Sequence, residues 1–200
     1  MGGRLSYGVP FGKTGTQVDV DVLEHADELR DVIAGALRWD LDVGARIQRR
    51  TFVGGYAGVA LGVPGGSFEP TCNAGDCALA GMRFGLHGQY HFASTWSDPW
   101  IGAGVGLELL SASSEPRATQ AEETVSLTGL ECLNLQAGLD VPLRTNAAFG
   151  PFSTFGIGRF SSGRYACRGA DCDTESFDFD LANANTHYWL TFGLRVTYLP

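Results

Sequence analysis

"GMRFGLHGQYHF", residues 81–92, decides the fold. His87 and His91 stand four apart, and Arg83 lies four further upstream. On a helix the two histidines would share a face and could grip one metal ion. On a strand they share a face about 13–14 Å apart. The stretch alternates: Met82, Phe84, Leu86, Tyr90 and Phe92 fall against Arg83, Gly85, His87, Gln89 and His91. Gly85 and Gly88 would each cost a helix about 1 kcal/mol relative to alanine. The stretch therefore reads as a strand. A zinc ligand nitrogen sits about 2 Å from the metal, so His87 and His91 cannot form a metal pair alone. They are expected to hydrogen-bond in a polar interior.

The same period of two runs outward through the chain. Residues 4–12 place Leu5, Tyr7, Val9 and Phe11 on one face. Residues 33–48 set Leu37, Trp39, Leu41, Val43, Ala45 and Ile47 against Arg38, Asp40, Asp42, Gly44 and Arg46. Residues 51–63 form a third strand and 79–92 a fourth. In 99–113, Ile101, Ala103, Val105, Leu107 and Leu109 oppose Gly102, Gly104, Gly106 and Glu108. In 124–143, Leu133, Leu135, Ala137, Leu139 and Val141 oppose Asn134, Gln136, Gly138 and Asp140. A seventh segment covers roughly 148–162, with no clear face. The eighth, 187–198, sets Tyr188, Leu190, Phe192, Leu194, Val196 and Tyr198 against Trp189, Thr191, Gly193, Arg195 and Thr197.

Connections alternate between tight and long. Segments 2–3, 4–5 and 6–7 are joined by short polar links. The long links fall near 13–32, 64–78, 114–123 and 163–186. An up-and-down meander thus gathers its short turns at one end and its long loops at the other. That is the asymmetry of a transmembrane barrel with short periplasmic turns and long extracellular loops. The expected fold is one domain over 1–200, an all-β, eight-stranded antiparallel up-and-down transmembrane β-barrel. Leu23 to Val32 in the first loop has some helical character, with an acidic solvated loop as the equal alternative.

Composition narrows the function. The net charge is −8, and Lys13 is the single lysine among 14 basic residues. An acidic chain without a basic patch is a poor binder of nucleic acid. There is no apolar run long enough for a transmembrane helix. "MGGRLS" lacks the apolar core of a secretory signal, so the chain is either cytoplasmic or has lost a leader. Of the 5 cysteines, Cys72/Cys77 ("CNAGDC") and Cys167/Cys172 ("CRGADC") form matching pairs in Gly/Asp-rich loops. They read as local disulfides of an oxidising compartment. Pairing between the loops and a four-cysteine zinc site stay open, although zinc pairs usually carry two-residue spacing. Cys132, inside a strand, reads as a small buried side chain.

The mixed-charge face decides which side is which. Arg38, Asp40, Asp42, Arg46, Arg83, His87, Gln89, His91, Glu108, Gln136, Asp140 and Arg195 form the expected lumen network, and the apolar face is expected to meet lipid. The arginines Arg38, Arg46, Arg83 and Arg195 should find Asp40, Asp42, Glu108 or Asp140, because unpaired buried charge is costly. Glu108, on the next strand, is the first acid expected as a lumen partner of Arg83, His87, Gln89 and His91. Tyr7, Phe52, Tyr90, Phe92, Trp96, Trp100, Phe149 and Tyr198 fall near the short-turn rim and are expected to form an aromatic girdle. Glu131 breaks the alternation: counting places it outward, unless it lies near the rim or a bulge re-aims it.

The chain as a whole resembles the small outer-membrane β-barrels of Gram-negative bacteria, the OmpA-barrel and OmpX type. "TFGLRVTY" is similar to the family's C-terminal assembly signal, with Thr191, Gly193, Val196 and Tyr198 at alternate places; Leu199 and Pro200 extend beyond it. The resemblance implies the bacterial outer membrane as location. It also implies outer-membrane lipid and the barrel-assembly machinery as partners, and a monomer. No cofactor, metal or enzymatic activity is expected. His25, His87, His91 and His187 show no compact pairing with a serine, and His187 is expected at the loop rim. The acidic run 171–180 lacks the glycine and final acid of an EF-hand. The leading expectation is a structural or interaction barrel that displays its loops, with an ion-paired lumen and no open pore. The alternatives are a narrow channel, a soluble lipocalin-like carrier with an apolar interior, and a lipid hydrolase.

Overall fold

The computed structural model describes residues 1–13, 28–48, 50–66, 75–92, 96–116, 121–144, 146–169, 172, 176–181 and 186–198. Strand β1 is Gly2–Gly12, β2 Ile33–Ile47, β3 Thr51–Pro64, β4 Gly75–His91, β5 Asp98–Pro116, β6 Ala121–Arg144, β7 Ala147–Gly169, β8 Ser176–Asp180 and β9 Thr186–Tyr198. A single turn of helix, α1 (Leu29–Val32), precedes β2. Each strand pairs antiparallel with the next from β1 to β7. The ring closes where β9 pairs with both β7 and β1. Eight strands thus form a barrel, as the alternation predicts. The short β8 is an addition inside the expected long loop 163–186: it pairs with Ser162–Ala166 of β7, beyond the point where β9 leaves that strand.

The links between β2 and β3, β4 and β5, and β6 and β7 lie at one end. The termini also meet there, where the Met1 ammonium donates to the Tyr198 carbonyl at 2.9 Å. The longer links lie at the other end.

The barrel has two zones of opposite polarity. Near the short-turn end the outward residues are apolar and the inward ones polar. On β5, Ile101, Ala103, Val105, Leu107 and Leu109 point out, while Trp100, Gly102, Gly104, Gly106 and Glu108 line the interior. Further up the same strand the pattern inverts. Ser111, Ser113 and Glu115 point out, and Leu110 and Ala112 point in. On β6, Leu127 and Val125 are buried while Thr128, Ser126 and Glu122 take the outer side. On β7, Ile157 gives way outside to Arg159 and Arg164, and Phe160 is buried inside. Leu29 and Val32 of α1 drop into this upper interior and pack with Ile33, Leu79, Leu127 and Phe160.

Strand length explains the two zones. A transmembrane strand needs about 9–11 residues, whereas β6 has 24 and β7 has 23. The surplus stands beyond any apolar band. There, ordinary water-facing sheet logic applies and apolar side chains turn inward.

A bulge on β6 separates the registers of its two halves. Gly104 faces Asn134 and Gly106 faces Glu131, so Cys132 and Leu133 together oppose Val105. The extra residue returns Glu131 to the interior. Counting from Leu133 and Leu135 places it outside; of the two exceptions to that count, rim or bulge, the bulge is the one found.

Candidate functional site: the barrel lumen

An eight-stranded barrel is just wide enough to be filled by side chains. Inward glycines make room for them. A Cβ on Gly58 would overlap the Asp40 carboxylate, and one on Gly138 would overlap the Trp100 ring. The glycine-rich composition is therefore a packing device opposite long polar side chains.

Three arginine–carboxylate forks anchor the lower lumen. Arg4 donates to Asp42 at 2.5 and 2.7 Å. Arg83 donates to Asp40 at 2.8 Å from both Nε and Nη2. Arg195 donates to Asp140 at 2.7 and 2.5 Å. Bidentate geometry of this kind fixes orientation as well as adding attraction. The forks are tied across the axis. Arg4 of β1 reaches Gln136 of β6 at 3.2 Å, and Arg195 of β9 reaches Gln89 of β4 at 3.0 Å. Glu131 accepts from Asn134 at 2.5 Å, from Arg83 at 3.4 Å and from the Tyr56 hydroxyl. Higher up, Glu108 Oε1 of β5 stands 2.5 Å from His187 Nε2 of β9, beneath the stacked ring of Phe160. At the short-turn mouth, Asp98 meets Arg46 at 3.4 Å and His91 at 2.9 Å.

All twelve expected lumen residues, Arg38, Asp40, Asp42, Arg46, Arg83, His87, Gln89, His91, Glu108, Gln136, Asp140 and Arg195, sit on the inward parity. Their pairings differ from expectation in three places. Glu108 does not face His87 or His91. His87 lies 3.1 Å from Arg4 and 3.6 Å from Asp42, and His91 takes Asp98. The strand stagger lifts Glu108 to the level of His187, which is fully buried rather than at the loop rim. Arg46 takes Asp98. Among the described residues Arg38 has no carboxylate within ion-pair distance, although Asp40, Glu108 and Glu131 are near enough to act on its charge, and it lies over the Trp189 ring, its Cζ 3.9 Å from the centroid.

The girdle residues divide. Tyr90, Phe92, Trp96, Phe149 and Tyr198 are exposed at the short-turn end. Phe52 turns inward against His87, and Trp100 is buried under the Arg195 guanidinium at 3.9 Å. Their parity matches the lumen side; aromatic character alone misplaces them. Tyr7 faces outward but level with Leu37 and Phe192, away from that rim. In the last strand, Thr191 and Gly193 face the lumen while Val196 and Tyr198 face out; 199–200 lie outside the described residues.

Cys167 and Cys172 form a disulfide with Cα atoms 5.8 Å apart, within the ordinary range. That bond removes both as zinc thiolates. Cys77 is also disulfide-bonded, and Cys72 and His25 lie outside the described residues. Cys132 is exposed, not buried, because the bulge turns it to the outer wall.

The network also contains members absent from the expected set, Arg4, Tyr56, Glu131 and Asn134; Ser6 and Thr191 are buried beside it, with hydroxyls that find no hydrogen-bond partner among the described residues. Parity is the available signal for Arg4 and Ser6, which lie opposite Leu5, Tyr7 and Val9.

Similarity in three dimensions agrees with this architecture. The chain is similar to Neisserial surface protein A, with a TM-score of 0.52, 10% identity, and 98% of this chain and 96% of that one covered. It is also similar to a major outer membrane protein from Thermus thermophilus, with a TM-score of 0.54, 14% identity and 98% of each chain covered. No protein-family model matches the chain, and no curated protein matches it in sequence. The fold is that of the eight-stranded outer-membrane β-barrels.

Proposed function

We propose that the chain is an integral outer-membrane barrel of the OmpA-barrel and OmpX type that anchors and displays its long loops without conducting. The carrying observation is the pair of bonds that cross the axis, Arg4 to Gln136 and Arg195 to Gln89, with Arg83 reaching Glu131 over the intervening β5. They support a lower lumen filled by side chains, as expected of eight strands. Apolar-out, polar-in alternation supports embedding in lipid, and it runs against a soluble carrier with an apolar interior at this level. The long-loop end would then face the exterior and carry the Cys167–Cys172 bridge. Outer-membrane lipid and the assembly machinery, the latter through Thr191, Gly193, Val196 and Tyr198, are the proposed partners of a monomeric barrel. No enzymatic activity is proposed.

Single-channel recording on the folded barrel in planar bilayers tests the closed lumen. The expected trace is flat at moderate voltage. A large, steady conductance would overturn the closed reading in favour of a narrow channel.

A further inference from the structure

The outer wall just above the seam carries a half-open recess of about 410 Å³ on β6, β7 and β8. Its polar lining is Ser126, Thr128, Ser162, Arg164, Asp178 and Asp180. Register sets these side chains in two rows across the three strands. Thr128 pairs with Ser162 and Ser162 with Asp180; Ser126 pairs with Arg164 and Arg164 with Asp178. Ser126 and Ser162 are half-buried at the floor, while Thr128, Arg164, Asp178 and Asp180 stand exposed around them. Arg164 Nε lies 3.7 Å from Asp178 Oδ1.

Height and chemistry define the occupant. Thr128 lies beside the outward Leu109 and two residues above the outward Leu130, about 7 Å along the strand. The recess thus begins where the apolar wall ends. A lipid whose chains lie on Leu107, Leu109 and Leu130 would hold its headgroup against it. Three hydroxyls, two carboxylates and one guanidinium face that headgroup. The excess of carboxylate disfavours a phosphate-rich, anionic group. The rows instead set acceptors beside donors, which matches the adjacent hydroxyls of a sugar, each able to donate and to accept. The volume falls within the range of small-ligand pockets, about 300–1,000 Å³, and an ethanolamine alone would leave most of it unfilled.

We infer that this recess docks the sugar headgroup of a glycolipid whose chains run down the wall below it. The inference rests on the membrane reading proposed above and adds the chemical class of a neighbouring lipid. It is independent of the lumen's conductance, since the recess lies on the outer wall.

The test uses the full barrel, labelled with ¹⁵N, in phosphatidylcholine bicelles. Nuclear Overhauser contacts from lipid methylenes to the amides of Val105 and Leu107 report embedding; were they missing, the membrane reading would fall and this inference with it. With those contacts present, digalactosyldiacylglycerol is expected to shift the amides of Ser126, Thr128, Ser162 and Asp178 saturably. Half-saturation should come at a mole fraction about 10-fold lower than for phosphatidylethanolamine or phosphatidylglycerol. Asp178→Asn/Asp180→Asn should raise it roughly 10-fold, the loss expected for hydrogen bonds to charged groups. Ser162→Leu, which fills the floor and leaves every charge in place, should abolish the shift. Both variants alter outer-wall side chains, and the Val105 contact checks that each still folds and inserts. Free lactose, which lacks the chains that concentrate the sugar at the wall, should leave the signals unmoved. The inference is overturned if the three lipids act alike, if the shift survives Ser162→Leu, or if lactose matches the glycolipid, which would make the recess a site for soluble saccharide.

Discussion

The lower and upper halves of this barrel solve the same packing problem with inverted chemistry. Below, the wall is apolar outside and the lumen is held by Arg4–Asp42, Arg83–Asp40 and Arg195–Asp140. Above, the wall carries Ser111, Ser126, Thr128 and Arg164 outside, and Leu29, Leu127 and Phe160 fill the interior. One continuous sheet runs through both. The lesson is that strand alternation does not itself say which face is solvent; the medium around each level does. Where the surroundings are lipid, only the lumen is left for charge. Where they are water, the hydrophobic effect sends apolar groups inward.

The strongest way to break the lower half is to unbalance one fork. Arg83→Met leaves Asp40 buried without its hydrogen-bonding partner among the described residues and takes a donor from Glu131. A loss of about 3–5 kcal/mol is expected in urea unfolding from vesicles. The double variant Arg83→Met/Asp40→Leu should recover part of it, because the orphaned charge is then gone. A single variant indistinguishable from the parent would show that the fork is not what holds that level.

The corresponding blow to the upper half is Leu127→Ala. Removing a buried leucine typically costs about 2–5 kcal/mol, but here the cost should be local. Proteases added on the long-loop side should trim the upper strands, while the lower barrel keeps its heat-modifiable mobility on gels. Loss of both together would mean that the two zones unfold as one.

The sharpest comparison places one substitution at two heights on one face of β5. Val105→Arg puts a charge in the middle of the apolar band and should cost about 2–4 kcal/mol of folding free energy in vesicles. Ser113→Arg, on the same face but above the seam, should stay within about 0.5 kcal/mol. Equal costs at the two heights would remove the case for a membrane boundary between them.

Much of the lower half could be read from the sequence because its rule is uniform. Arg38, Asp40 and Asp42 on one parity, with Trp39, Leu41 and Val43 on the other, leave only one sensible register. The exceptions have particular causes. Counting misplaces Glu131 because the bulge at Cys132 adds a residue that carries no sequence mark. Residue type draws Trp100 and Phe52 outward against their own parity. His187 and Glu108 meet through the stagger between β5 and β9, which depends on barrel closure and not on either strand alone. The apolar upper interior escapes the sequence for a different reason. There Leu110, Leu127 and Val125 obey the opposite rule, and nothing local announces the change except the serines and threonines that replace leucines on the outer wall.

That seam has a consequence for where the molecule floats. A uniform apolar wall could slide along the bilayer normal at little cost, as a smooth cork does. Here an upward slip of one residue pair lifts leucines such as Leu109 and Leu130 toward water, and a downward slip drags Ser111, Thr128 and Arg159 toward hydrocarbon. Displacement is penalised in both directions, so the draught of the barrel is written into its own wall. The height at which the loops stand above the surface is then a property of the protein, and modest variation in bilayer thickness should be met by the lipid deforming rather than by the barrel shifting.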